Sequence, residues 1–469
     1  MAGHLRQHSL TGNTDHNLTG LEVIQLLNID SSGSTISSSG IYGENGILTA
    51  TTYYSGTTPL ETIISSLSSG GVSGKLGISD SNGQYIFYSS YTDAISAATI
   101  GQCVEQFADI IETGNIELTL KDGVNIDGHG HTYTLDNPGS FTCFQDASLI
   151  NISILNLNVK RINGNGQTLH LSNGSTVIGD GSIFTTTFAA ETSVWLNNSK
   201  GINITAYGTN TGILLGGADP SLSNLIDCKG FGGNYGIRTY SGGGTVKDSY
   251  GEATLWYGIF NAGGKTYNST GIGPVAGIYA DDGFNCIGIS ETGSGFVGQG
   301  TNCTGLSTSG IGYEGHGNNC VGKSVSGYGM YVNNAKNVYN CVGISSSSVG
   351  IRLLIGSSIY GGVFSSDLNY GCIITGNAED YIISSASIIS NWDDAVGYAI
   401  LDQLTGTNSK ILNNTLKVFN AGANGYFTAN AKTIKYSGNI FDGTANIVNA
   451  DATQGIINTL DNQGNIIIN

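Results

Sequence analysis

Glycine followed by an apolar residue recurs along the middle of the chain at intervals of 17 to 24 residues: Gly212-Ile213, Gly236-Ile237, Gly258-Ile259, Gly277-Ile278, Gly295-Phe296, Gly312-Tyr313, Gly329-Met330, Gly350-Ile351 and Gly371-Cys372. A second ladder interleaves with it, an Asn or Asp followed by a small Cys or Ser and, two places later, a Gly: Asp227-Cys228, Asp248-Ser249, Asn268-Ser269, Asn285-Cys286, Asn302-Cys303, Asn319-Cys320 and Asn340-Cys341. A repeat this short cannot close around a core of its own and buries its apolar face only against its neighbours. Two short strands per repeat, flanked by residues that tolerate φ > 0, predict the coil of a parallel β-helix with Gly and Asn at its corners. Equivalent residues of successive coils then stand about 4.8 Å apart.

Composition removes the competing classes. Glycine is 72 of 469 residues without a Gly-X-Y period, and proline only 4, which excludes collagen. At 39% hydrophobic the chain has much apolar surface to bury, and single compact cores stop growing near 250–300 residues. With 17 Lys and Arg against 34 Asp and Glu, the net charge is −17, and no basic stripe exists to meet a phosphate backbone. No apolar run reaches the roughly 18 residues of a membrane span, so membrane insertion is not expected. The opening Met1-Ala2-Gly3-His4-Leu5-Arg6-Gln7-His8 lacks the apolar stretch of a secretory signal, which predicts that the general export route is not used. The eight cysteines show no CxxC or zinc spacing. Five of them (Cys228, Cys286, Cys303, Cys320, Cys341) share one register, which predicts a stack of small buried side chains.

Strand alternation divides the ladder into faces. The residue after each ladder glycine points inward and the next outward, which places Arg238, Phe260, Tyr279, Val297, Glu314, Tyr331, Arg352 and Ile373 on one outer face, with Tyr240, Asp281 and His316 two places further along. Upstream, Tyr85-Ile86-Phe87-Tyr88 reads as a strand, Thr92 to Ala98 as a short capping helix, and Cys103 to Ile111 as strand. An open solenoid end exposes its core, so a cap is required there. Alternation continues to the end of the chain, in Leu416-Lys417-Val418-Phe419 and Ile466-Ile467-Ile468.

The segment His8-Ser9-Leu10-Thr11-Gly12-Asn13-Thr14-Asp15-His16-Asn17-Leu18-Thr19-Gly20-Leu21 resembles the short motifs near the start of many bacteriophage tail fibres and tailspikes. The cap followed by Leu118-Thr119-Leu120-Lys121-Asp122-Gly123-Val124-Asn125-Ile126-Asp127-Gly128 is similar to the entrance of their right-handed β-helix. The resemblance implies an all-β, right-handed parallel β-helix in a homotrimer, attached to other tail proteins through His8, Asp15, His16, Asn17 and Leu18, assembled in the host cytoplasm and presented to a bacterial surface polysaccharide. The expected division is an attachment motif over 1–30, a β-rich neck or linker over 31–90, a cap over 91–114, the β-helix over 115–405 and C-terminal coils or a trimer contact over 406–469. A bacterial adhesin or a secreted pectate-lyase relative shares the fold but requires export.

Chemistry on the outer face reads in two ways. Many tailspikes cleave polysaccharides with carboxylates from neighbouring coils. By register, Asp281 and Glu314 stand two coils apart with His316 level with Asp281, the best catalytic set the chain offers. Binding without cleavage needs less: Tyr240, Phe260, Tyr279 and Tyr331 offer flat surfaces to sugar rings, and Arg238 and Arg352 offer charge to acidic sugars. The paired acids Glu379-Asp380 and Asp393-Asp394 read as corner or loop residues. No cofactor or metal is called for, since polar contacts at an attachment joint account for His4, His8 and His16. His129 and His131 read as turn residues bonded to backbone.

Overall fold

The computed structural model describes residues 75–419 apart from short internal stretches, the longest being 377–380, 393–397 and 404–408, together with strand segments at Tyr54–Ser55 and Thr58–Pro59 and between 424 and 468. The attachment motif, most of the 31–90 segment, and the pairs Glu379-Asp380 and Asp393-Asp394 lie outside the described residues.

The described residues form a right-handed parallel β-solenoid of about 13 turns with almost no helix among them. Its N-terminal end is closed by α1 (Tyr91–Ala97) and an antiparallel ribbon in which Leu76–Ser79 pairs with both Tyr85–Tyr88 and Cys103–Gln106. Ser90 caps the helix: its Oγ accepts the Asp93 N–H at 3.1 Å and donates to Asp93 Oδ2 at 2.7 Å. Tyr91 enters the core edge-on to Tyr133 and Phe144, 4.9 and 5.8 Å between ring centroids, and its hydroxyl donates to Gln106 Oε1 at 2.6 Å. The Cys103–Ile111 stretch is strand as expected, in two pieces, Cys103–Gln106 and Ile110–Thr113. His129 and His131 depart from expectation by facing carboxylates. His129 Nε2 lies 2.8 Å from Glu105 Oε2 with its ring stacked on Phe107, and His131 Nδ1 lies 3.5 Å from Asp109.

Beneath the cap, Glu112 is buried and accepts the Tyr133 hydroxyl at 2.7 Å. Burial pushes its carboxyl above the ordinary range. A carboxyl raised in the folded state favours folding fully below its unfolded pKa, about 4.3, and that contribution is lost as pH rises through the folded value. Cap stability, measured by hydrogen exchange of the α1 amides, is therefore expected to fall as pH rises from about 4, and Glu112→Gln is expected to flatten that dependence.

The coils up to residue 253 have three strands each rather than the two expected. In one turn these are Asn224–Ile226, Lys229–Gly232 and Tyr235–Thr239, which pair in register with Thr245–Lys247, Tyr250–Ala253 and the start of Tyr257–Tyr267 in the next. We call the sheet containing Tyr235–Thr239 the first, that of Thr245–Lys247 the second and that of Tyr250–Ala253 the third. From residue 257 the first- and second-sheet strands fuse across a bulge, as in Ala276–Phe284, which leaves two strands per coil visible in the sequence. From 337 the second and third fuse instead, as in Asn337–Ser345.

The Asn and Asp residues of the second ladder turn the corner between the second and third sheets. Asp227, Asp248, Asn268, Asn285, Asn302, Asn319 and Asn340 all have φ between 47° and 56°, the left-handed region that short polar side chains tolerate. Their amides climb from coil to coil, Asn285 Nδ2 donating to Asn268 Oδ1 and Asn302 Nδ2 to Asn285 Oδ1, each at 3.2 Å. The following Cys or Ser is buried in every coil, and its Sγ–H or Oγ–H donates to the carbonyl two residues back, at 3.3 Å from Cys286 and 2.7 Å from Ser269. The cysteines are free, and burial pushes the Cys228 thiol up to about 12. Seven of the eight are buried and Cys103 is half-buried. A thiol-reactive chromogen is expected to titrate at most one group in the native protein and all eight after unfolding.

The ladder glycines do not turn corners as expected. None from Gly236 to Gly350 has a positive φ, and all are buried, within the first-sheet strand or immediately before it, where the third sheet presses on the first. The two ladders are the two sides of one seam. A Cβ on Gly251 would lie 2.3 Å from the Gly258 carbonyl oxygen, one on Gly288 2.0 Å from that of Gly295, and one on Gly322 2.2 Å from that of Gly329. Backbone packs directly on backbone here, and apolar side chains fill the wider part of the section. There Ile213, Ile237, Ile259, Ile278, Phe296, Tyr313, Met330 and Ile351 form the expected inward stack, all fully buried.

Candidate functional site

The outward residues of the first sheet form one ladder along the solenoid: Gln145, His170, Trp195, Leu214, Arg238, Phe260, Tyr279, Val297, Glu314, Tyr331, Arg352, Ile373, Leu401 and Phe427, each paired with the next. The expected outer face is therefore present and extends further towards both ends. A second column stands immediately before the ladder glycines, with Tyr235 paired to Tyr257, then Ala276 and Ser294.

These columns build two aromatic clusters. In the first, Tyr235 stacks on Tyr257 at 5.9 Å, Trp256 meets Tyr235 edge-on at 5.5 Å, and Phe260 stacks on Tyr279 at 5.0 Å. Arg238 lies 4.5 and 4.4 Å from the ring centroids of Tyr235 and Tyr240. Burial pushes the Tyr257 phenol above its ordinary value, with Tyr235, Tyr279 and Glu314 adding to the effect. In the second cluster, Tyr328 stacks on Tyr331 at 6.2 Å with Arg352 over both rings, and Arg352 Nη1 donates to the Tyr328 hydroxyl at 2.9 Å.

Between the clusters the second column turns small, and a cleft of about 300 Å³ opens where the first sheet turns into the second. Tyr279, Val297 and Glu314 form its wall, Asp281 and Gln299 its corner, and Asn333 and Lys336 its far end. Its floor is backbone at Gly298 and Gly315, whose φ values of 128° and 130° are open to glycine. Glu314 Oε2 accepts the Ser294 hydroxyl at 3.0 Å, and Asp281 Oδ2 accepts the Gly263 N–H at 2.9 Å. Asp281 and Glu314 thus share one cleft, two coils or about 10 Å apart along the axis.

His316 is not level with Asp281. The coil of Ala276–Phe284 carries one extra residue, and the register shifts between Ala280 and Asp282, so that Asp281 bulges out of the ladder and Asp282 pairs with Gln299, which pairs with His316. His316 faces a separate cleft of about 150 Å³ beside Asp282, Thr301 and Asn318, and its Nδ1 accepts the Asn337 N–H at 3.4 Å. The expected set of three is thereby split into a carboxylate pair and a histidine around the corner.

Sequence reading passed over Lys336, Asn333, Gln299 and Tyr328. Tyr328 had a usable signal, since it precedes Gly329 as Tyr235 and Tyr257 precede Gly236 and Gly258. Lys336 and Asn333 had none, because they lie in a corner four residues longer than that of the preceding coil, which carries the carboxylate Glu314. Towards the N-terminal end, His170 and Trp195 stack at 4.6 Å, and His170 Nε2 and Trp195 Nε1 are buried without a hydrogen-bond partner. Burial pushes the His170 imidazole below its ordinary value. Among the described residues, no group of three or more His, Cys, Asp or Glu is placed to hold a metal ion.

Fold and site define a parallel β-solenoid with a polar side-wall cleft between two aromatic clusters. No family model and no curated protein matches the chain. Among solved structures, the A-module of the mannuronan C-5 epimerase AlgE4 of Azotobacter vinelandii is similar at 14% identity, over 80% of this chain and 93% of that one, with a TM-score of 0.18. The A-module of AlgE6 from the same organism is similar at 12% identity, over 81% and 93%, with a TM-score of 0.16. Neither likeness is close enough to transfer an activity.

Proposed function

We propose that this chain is a glycan-recognising component of a bacteriophage tail, a fibre or tailspike that lays a surface polysaccharide along the outer ladder of its first sheet. The observation that carries the reading is the placement of two aromatic clusters on one face, on either side of a polar cleft, on coils about 4.8 Å apart. Flat rings supply apolar area at low entropic cost, and the polar groups between them orient a hydroxyl-rich chain. The phage setting and the attachment role of residues 1–30 rest on the resemblance of the N-terminal motif. The homotrimer belongs to the same reading, and the outward aliphatic residues of the third sheet, Ile287, Ile289, Leu306, Val342, Ile344 and Val363, suit cover by a neighbouring copy.

One observation favours a second reading, cleavage: Asp281 and Glu314 open into the same cleft, and inverting glycosidases hold their carboxyl groups about 6.5–9.5 Å apart. Incubation of the purified protein with bacterial surface polysaccharide separates the two by chain length and retention. Retention of full-length chains is the expected result. Shortened chains, lost on Asp281→Asn or Glu314→Gln while retention persists, establish cleavage. Neither retention nor shortening across a broad panel refutes both.

A further inference from the structure

The charges in the cleft and on the ladder just beyond it are sorted along the solenoid axis. Both carboxylates are tied to the coil that precedes their own, Asp281 to Gly263 and Glu314 to Ser294, and so lean towards the N-terminal end. The cations stand on the other side. Lys336 belongs to the coil after Glu314, and Arg352 follows Tyr331 in the ladder, about 10 Å beyond Glu314. Lys336 makes no salt bridge among the described residues, although it lines the same cleft as two carboxylates. Arg352 is held by Nε to Thr375 Oγ1 at 3.2 Å and by Nη1 to the Tyr328 hydroxyl. Its guanidinium is therefore aimed before any ligand arrives, with Nη2 free of those bonds. Beside Lys336, the Asn333 Oδ1 atom is buried and has no hydrogen-bond partner. An acceptor left so in a polar cleft calls for a donor such as a sugar hydroxyl.

From these observations we propose that the C-terminal end of the cleft, together with the ladder surface just beyond it, is a subsite for an anionic sugar residue, its carboxylate or sulfate between Lys336 Nζ and Arg352, its ring against Tyr331 and a hydroxyl on Asn333 Oδ1. The inference rests on the glycan-binding reading above and adds the chemical class of the residue bound. In a protein of net charge −17, diffuse attraction of polyanions is absent, so affinity for an acidic glycan requires a local cation pair.

The test measures retention of neutral and acidic bacterial polysaccharides on the full chain, with each uronate-bearing polymer assayed before and after chemical reduction of its carboxyls, and dextran sulfate beside dextran as the sulfate arm. Retention of the acidic form is expected to exceed that of its reduced form by about tenfold, to fall by about tenfold in Lys336→Gln, and to be recovered in Lys336→Arg. Preference for dextran sulfate over the uronate polymers assigns the subsite to sulfate. Equal retention of acidic and reduced forms, or no effect of Lys336→Gln, overturns the anionic subsite and leaves glycan binding standing. Failure to retain any polymer, acidic or neutral, overturns the glycan reading itself.

Discussion

Replacing Gly305 by alanine is expected to cost on the order of 4–5 kcal/mol, the range reserved for changes that a fold cannot absorb. The added Cβ would stand 2.0 Å from the Gly312 carbonyl oxygen, 2.8 Å from its carbon and 2.9 Å from the Phe296 nitrogen. All three are backbone atoms of the facing sheet, and no rotamer change relieves the clash. The first and third sheets must separate, and separation at one coil breaks the same contact at Gly288 and Gly322 above and below, because stacked coils share one seam. Gly216→Ala is the matched control. It also sits in a buried strand, but its Cβ would meet only side-chain atoms, the nearest Trp195 Nε1 at 3.4 Å, and it is expected to change stability by under about 1 kcal/mol. Thermal unfolding followed by far-ultraviolet circular dichroism compares the two. Equal midpoints for both variants and the parent would mean that the sheets are not sealed by glycine.

The second large effect concerns the outer face. Tyr279→Ala removes a ring that stacks on Phe260 at 5.0 Å and also walls the cleft. Tyr331→Ala removes the ring that follows Glu314 in the ladder and carries Arg352 above it. Each is expected to weaken polysaccharide retention by about 1.5–2 kcal/mol, roughly ten- to thirtyfold in Kd, as central aromatic anchors do. The control lies on another wall, where Tyr207 and Phe231 stack at 4.5 Å on the outside of the third sheet. Tyr207→Ala removes a more exposed ring from the same solenoid and is expected to leave retention within about twofold. Affinity electrophoresis in polysaccharide-containing gels measures all three. Loss in Tyr207→Ala equal to that in Tyr279→Ala would place the glycan elsewhere or make its binding unspecific.

Both experiments bear on how much of the molecule a reader of the chain can see. The inward stack from Ile213 to Ile351, the cysteine register and the left-handed Asn corners were legible because each depends on a local rule applied once per coil. Side chains alternate with period two in a strand, and a turn with φ > 0 selects Asn, Asp or Gly. The cap was legible because an open solenoid end needs one and helix-capping chemistry is local. The two glycine ladders were equally visible, but their purpose was not. Glycine serves tight turns and close backbone approach alike, and only the facing of Gly305 on Gly312 decides between them.

The sequence by itself determined the solenoid, its inward and outward faces and the candidates on the outer ladder, since those follow from periodicity. Only the tertiary structure decided which candidates meet. One extra residue at Asp281 shifts the register and sends His316 to another cleft, while corners of unequal length carry Lys336 and Asn333 to the carboxylates. The physical reason is that a strand's pattern is set by neighbours two residues away, whereas a side-wall cleft is set by how far each corner projects between coils 17 to 24 residues apart, and no local preference records that distance.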